Sequence, residues 1–487
     1  MTSVAAVTAV VAPIRDAAAR RRWRVDAAWL AAGALILRLP AFFASRHLTF
    51  DDGQYGSAIL GMRDGAAPFR DLFSSQGPLH YPLLWVADVV GFRTLDGPRV
   101  ETVAAGLVAA IAAYAIGRRL TTRTGALLAG ALVATSGSVL YVTAPLSGDG
   151  PALALSLTAI ALALAYRAQP SVARAIGVGL AIGAGLSVKP LVLPAALAVG
   201  MVLLGVRRWR ECAAAAGAAA AVFLAAALPW GIGNVWDQTI AYHRDSERLR
   251  SVFGNLRVLL QTLVERDPFV VATLVLATVG VVLTMRRAPA TAATIPREID
   301  DRTAVLLLGV WLGAQALFLI IEPAMWRPHV SQVVAPLAIL AVARPPSWRA
   351  VLVVAVVLSP WWVANTHEIL WPDGYDRDEQ AVVDRLRALP DGAWVISDDP
   401  GFTWRAEHRV PGNFVDVSEK RIQQRQLTAK VIARAAARPR VCSVVVWSER
   451  RFGSLSSLPR RLEAEGYEVV KRFDEVRRIY ERPDCPA

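Results

Sequence analysis

Asp51 and Asp52 stand side by side after the first long apolar segment, in the run Leu48-Thr49-Phe50-Asp51-Asp52-Gly53-Gln54-Tyr55. Carboxylates at a membrane edge are costly unless they are solvated, paired or used. Gln76, His80, Asp149, Lys189, Arg327 and His329 are scattered along the chain. Each falls at the same end of an apolar run. A set that mixes carboxylates with cations suits a reaction in which a hydroxyl is deprotonated and an anionic group departs. The hydroxyl needs one carboxylate as general base. The departing anion needs a cation or hydrogen-bond donors, and little protonation. Cleavage by water between two carboxylates would instead need an acid and a base flanking one bond.

The elements that must position these residues are membrane helices. The chain has 487 residues, 54% of them hydrophobic, and a net charge of +13. Long apolar runs recur from Ala27 to Ala364 and are long enough to span a bilayer. The basic excess is topological and does not call for nucleic acid, because most Arg clusters fall in alternate loops. Arg15, Arg20, Arg21, Arg22 and Arg24 precede the first span and set the N-terminus inside. Residues 1–25 read as a cytoplasmic tail, with the first span acting as an uncleaved insertion signal. The reading predicts about eleven spans within residues 26–368, with the C-terminus outside. The outer loop 45–98 is rich in aromatics and reads as lying along the interface. Loop 231–267, with Arg244, Arg248 and Arg250, departs from the charge rule.

From about residue 370 the apolar runs shorten and charges become frequent. Residues 369–487 read as a small α/β domain outside the membrane, with helices at 378–389, 426–437 and 458–465 and strands at 393–397, 441–447, 468–472 and 476–481. Asp398-Asp399 reads as a turn after a strand. Cys442 reads as a buried strand cysteine, with pairing to Cys485 the alternative; Cys212 opens an apolar span. No Cys/His spacing suggests zinc, no cofactor is called for, and a divalent cation at the aspartate pair stays open.

The ordered motifs resemble the C-type glycosyltransferases that use polyprenyl-phosphate sugars. They are similar to glycosyltransferase family 39, which contains protein O-mannosyltransferases and the aminoarabinose lipid A transferase. The first outer loop of that family carries an acidic pair followed by a Tyr, as Asp51, Asp52 and Tyr55 do here. A Lys-Pro-Pro-Leu motif follows in the family; Gln76-Gly77-Pro78-Leu79 stands in its place. Gly148-Asp149-Gly150, Gly185-Leu186-Ser187-Val188-Lys189-Pro190 and Trp326-Arg327-Pro328-His329 are similar to later family motifs. The resemblance covers roughly residues 25–365.

The resemblance implies a polytopic helical membrane enzyme. It implies inverting sugar transfer from a polyprenyl phosphate to a hydroxyl of a cell-envelope glycan, glycolipid or protein, at the outer face of the plasma membrane. Asp51 would be the general base, and Asp52 would orient it, bind an ion or fix the loop. Lys189, Arg327 and His329 would hold the donor phosphate, since Gln76 supplies no charge, with Tyr55, Asp149 and His80 in support. Structural alternatives stay open: Asp149 as a helix start, Lys189 as a snorkelling side chain, Arg327 as a headgroup contact and His80 as an interfacial residue. A transporter or lipid flippase is the competing class, and it expects repeats and broken helices with polar groups near mid-membrane.

Overall fold

The computed structural model describes residues 17–285, 301–323, 325–343 and 347–485. The tail up to Asp16, the basic segment 286–300 and Arg344 lie outside the described residues. All eleven expected apolar runs are helical. Among the described residues, four helices are long and apolar enough to cross a membrane: Gly97–Leu120, Asp149–Ala168, Trp209–Trp230 and Trp348–Leu370. A bent pair, Arg123–Thr135 with Gly137–Thr143, makes a fifth. The eleven crossings expected from the sequence therefore exceed what length and composition certify. Several of the remaining helices are shorter; Ser331–Ala341 has only 11 residues, about half of what a perpendicular crossing needs.

Small residues let these helices approach closely, as packing in lipid requires. A Cβ on Gly179 or Gly183 would run into the backbone at Ala215 and Ala219 of the neighbouring Trp209–Ala227 helix. The bent pair turns by 59° at Ser136. Asp267 fixes that break by accepting hydrogen bonds from the hydroxyls of Ser136 and Ser138 and, at 3.3 Å, from the Ser138 N–H. The redirected Gly137–Thr143 helix delivers Leu146 and Ser147 to the outer loop, where the candidate site lies.

The outer loop contains two helices, Phe50–Arg63 and His80–Val90. Thr49 caps the first by accepting from the Asp52 N–H at 3.1 Å. Loop 231–267 also contains a helix that the sequence reading left as loop, Val252–Arg266.

The C-terminal part is the expected α/β unit. Its strands are β1 (Trp394–Ser397), β2 (Val441–Val446), β3 (Glu468–Arg472) and β4 (Arg478–Glu481), in the order β1-β2-β4-β3. β1 and β2 are parallel, and β4 runs antiparallel to both β2 and β3. Every residue of β2 is buried, which its Val-Cys-Ser-Val-Val-Val run matches. Cys442 is buried and also bonded to Cys485, so the reading that favoured an unpaired strand cysteine is corrected. The tail returns alongside β2, with the Arg482 N–H donating to the Cys442 carbonyl at 3.0 Å, and that return brings the two thiols together.

The sheet unit does not hang free of the outer loop. The short helix Pro400–Arg405 packs on Phe50–Arg63, and two glycines permit the approach. A Cβ on Gly53 would strike the Gly401 backbone, and one on Gly56 would strike the Trp404 ring. Ser57 donates to the Pro400 carbonyl at 2.7 Å, and Arg405 donates to Asp96 at 2.8 Å. Tyr55, Leu60, Trp404, Val415 and Ile396 share one buried apolar cluster. Outer loop and C-terminal unit thus form a common wall.

Candidate active site

Between that wall and the outer ends of the membrane helices lies a cavity of about 890 Å³. Its helical side includes Leu191, Phe318 and Ile321, and its C-terminal side includes Asp416, Lys420 and Arg451. The cavity is thus apolar near Leu191, Phe318 and Ile321 and carries charge both at the helix ends, at Asp149, Lys189, Glu322 and His329, and on the C-terminal unit.

Asp51 opens the Phe50–Arg63 helix and lines this cavity. It has no hydrogen-bond or ion-pair partner among the described residues. Burial pushes its carboxyl up to about 6; Asp149 and Asp416 add to the shift, while Lys189 and His329 oppose it. A carboxylate with an unspent acceptor and a raised pKa is suited to taking a proton near neutral pH.

Asp52 faces the other way. It is fully buried and off the cavity. Arg99 grips both of its oxygens, and the backbone N–H groups of Leu48 and Leu146 donate to it at 2.9 Å each. Burial would raise this carboxyl, but Arg99 and the Leu146 N–H hold it below the usual range. Its acceptors are used, so this geometry gives Asp52 the task of tying the outer loop to the Leu146 turn. Of the tasks open to Asp52, to orient Asp51, bind an ion or fix the loop, this geometry favours fixing the loop.

Lys189 lies in an extended link between two helices and lines the cavity. Its ammonium donates to Asp149 at 2.7 Å, and Ser147 donates to the same carboxylate oxygen at 3.4 Å. Asp149 is the first residue of its helix but makes no side-chain cap; Gly148 is the capping position. His329 lines the cavity and faces Glu322, 3.2 Å away. Gln76 also lines it, and its buried side-chain oxygen has no partner among the described residues.

Three expected site residues stand elsewhere. Arg327 is off the cavity, ion-paired with Glu265 and donating to Thr262 at 3.3 Å. It serves to anchor the Val252–Arg266 helix, and its place in a phosphate clamp is corrected. His80 is fully buried, 3.6 Å from Glu101 and edge-on to the Tyr55 ring at 4.5 Å. Tyr55 is equally buried. Both support the packing beneath the Phe50–Arg63 helix without reaching the cavity.

The C-terminal unit adds residues that sequence reasoning missed. Asp416 accepts from the Ser75 hydroxyl and the Ser418 N–H, each at 3.0 Å. The Lys420 ammonium donates to His243 Nδ1 at 2.8 Å, and His243 Nε2–H donates to the Ser75 carbonyl at 2.9 Å. These two bonds set the imidazole tautomer. Burial lowers His243 to about 4, helped by the Lys420 charge, so the ring is neutral. No local motif marks these residues; they meet over Ser75 because the C-terminal unit packs on the outer loop and on the Tyr242–Arg244 segment, with Ser418 beside the Tyr242 hydroxyl at 3.1 Å. No group of three or more His, Cys, Asp or Glu arranged to hold a metal occurs among the described residues.

Residues 76–232 match the family described as dolichyl-phosphate-mannose-protein mannosyltransferase. That segment contains Gln76, Asp149 and Lys189 and begins after Asp51. No curated protein matches the sequence. Among solved structures, ArnT from Cupriavidus metallidurans bound to undecaprenyl phosphate is similar, with a TM-score of 0.63 at 16% identity over 93% of this chain and 97% of that one. Its apo state gives 0.62 at 15% identity over 96% and 99%. The archaeal oligosaccharyltransferase AglB from Archaeoglobus fulgidus, in complex with an inhibitory peptide and a dolichol-phosphate, gives 0.54 at 11% identity over 93% and 73%. The chain thus shares the fold of these solved structures, and its residues 76–232 are similar to the mannosyltransferase family.

Proposed function

We propose that this chain transfers a sugar from a polyprenyl-phosphate donor to a hydroxyl acceptor at the extracytoplasmic face of the plasma membrane, with Asp51 as general base. The observation that carries the reading is the unpaired Asp51 carboxylate in a cavity lined by both apolar and charged groups. A lipid-linked donor needs both kinds. Its tail suits the apolar wall near Leu191 and Phe318, and its phosphate suits the cations that line the same cavity. An acceptor hydroxyl placed at Asp51 gives up its proton to the carboxylate as its oxygen attacks the anomeric carbon. The bond from that carbon to the phosphate oxygen breaks, and the phosphate leaves as an anion. One displacement from the face opposite the leaving group inverts the anomeric centre.

The proposed topology has about eleven crossings, the N-terminus inside and the C-terminal unit outside. Two observations support it. The helix Asp149–Ala168 runs from the cavity to Arg167, and Val100–Leu120 ends in Arg118 and Arg119, so basic residues lie at the ends away from the cavity. The Cys442–Cys485 disulfide suits an oxidising compartment. A transporter reading expects its polar groups near mid-membrane, whereas here they lie at helix ends.

Membranes containing the protein, incubated with a panel of radiolabelled polyprenyl-phosphate sugars, test the reading. The expected result is label moved from one lipid to an acceptor, with inverted anomeric configuration. Label that crosses the bilayer while still on its lipid would overturn it in favour of transport.

A further inference from the structure

Most cations around the cavity already have an acidic partner. Lys189 has Asp149, His329 has Glu322, and Arg244, on the rim, has Asp245. Arg451 lies 3.9 Å from Asp399 and stacks over the Phe50 ring. Arg450 is solvent-exposed, where a charge needs no partner. Lys420 is different. It is only 9% exposed, lines the cavity, and has no carboxylate within ion-pair distance among the described residues. Its hydrogen bond goes to the neutral His243 ring, and its ammonium sits over the Tyr242 ring at 4.6 Å. Glu322 and Asp416 act on it only from beyond ion-pair distance, and a buried cation without an anion in contact is costly. The structure nonetheless holds it in place through His243 and the Ser75 carbonyl, next to the uncharged Gln76.

We infer that Lys420, presented by the C-terminal unit, is the cavity cation that binds the phosphate of the lipid-linked donor. This inference rests on the donor reading above. The bound phosphate supplies the missing negative charge. His243 is a positioning residue: its Nδ1 accepts a hydrogen bond from one ammonium N–H and leaves the other two for phosphate oxygens. Burial keeps the Lys420 ammonium down at about 8, so an arriving anion stabilises the charged form. The C-terminal unit is then part of the donor site and more than a cover over it.

The test is binding without transfer, on the full-length protein in nanodiscs, using a polyprenyl monophosphate, the matching polyprenol and phosphatidic acid as probes. Wild type should prefer the polyprenyl monophosphate to the polyprenol by about 10- to 100-fold, the span of a charge-assisted contact. Lys420→Gln keeps a donor for His243 but loses the charge. It should lose most of that preference with polyprenol affinity unchanged, and Lys420→Arg should restore it. If Lys420→Gln keeps the full preference, the inference about Lys420 falls while the donor reading stands. If wild type shows no preference for the phosphate, both fall. Displacement by phosphatidic acid at equal concentration would make this a general lipid-phosphate contact and overturn its assignment to the donor.

Discussion

Asp51 and Asp52 are neighbours on one helix start, yet they occupy opposite environments. Asp52 is sealed against Arg99 and two backbone N–H groups. Asp51 faces an open cavity with its acceptors unspent. One side spends its charge on holding the loop, and the other keeps its charge for a substrate. The difference shows how a fold can afford a free carboxylate: the adjacent residue pins the backbone that carries it.

The largest expected effect lies on the sealed side. Asp52→Ala strips a fully buried Arg99 of its partner, which costs on the order of 3–5 kcal/mol. Thermal unfolding should show a large fall in Tm. A variant of wild-type stability would mean that the Asp52–Arg99 pair does not hold the loop.

On the open side the effects are on rate and pH. Asp51 works as a base only when ionised, and burial holds its carboxyl at about 6. kcat/KM should therefore fall about tenfold per pH unit below that value. A profile flat down to pH 4 would remove Asp51 from the proton transfer. Linkage adds a contrast of opposite sign. A carboxyl whose pKa is raised on folding contributes stability below its unfolded value, near 3.8, and that stability is lost as pH rises through about 6. Asp51→Asn should thus raise Tm at pH 7, whereas Asp52→Asn should lower it. If both variants shift Tm in the same direction, the comparison fails.

The smallest effect belongs to Arg327. Its ion pair with Glu265 is partly exposed, and such pairs contribute about 0–1 kcal/mol. Arg327→Ala should leave the KM for the donor unchanged within about threefold. A rise above tenfold would return Arg327 to the donor site.

Much of this arrangement was legible in the sequence, and the gaps have physical causes. Hydropathy located the apolar runs expected to cross the membrane, because a lipid-facing segment must be apolar along its whole length, but it passed over the apolar helix His80–Val90 in the outer loop. It could not count crossings where helices are as short as Ser331–Ala341. Charge at the membrane edge singled out Asp51, Asp149 and Lys189, which the fold brings to one cavity. Depth alone misassigned Arg327, because depth does not say which way a side chain turns, and Glu265 sits on a helix that the sequence reading left as loop. The resemblance singled out Asp51 as the base but left three tasks open for Asp52, since nothing local says which of two adjacent carboxylates meets Arg99. Lys420, Asp416 and His243 left no signal. Their meeting depends on Gly53 and Gly56 admitting Gly401 and Trp404, contacts about 350 residues apart.

The central claim is that Asp51 is the base of a sugar transfer. Its most direct test is the single-turnover rate of Asp51→Asn on a polyprenyl-phosphate sugar, measured beside its affinity for the same donor. The substitution keeps shape and removes basicity. The account predicts a rate at least about 100-fold lower with donor affinity largely unchanged. A wild-type rate in Asp51→Asn would contradict it.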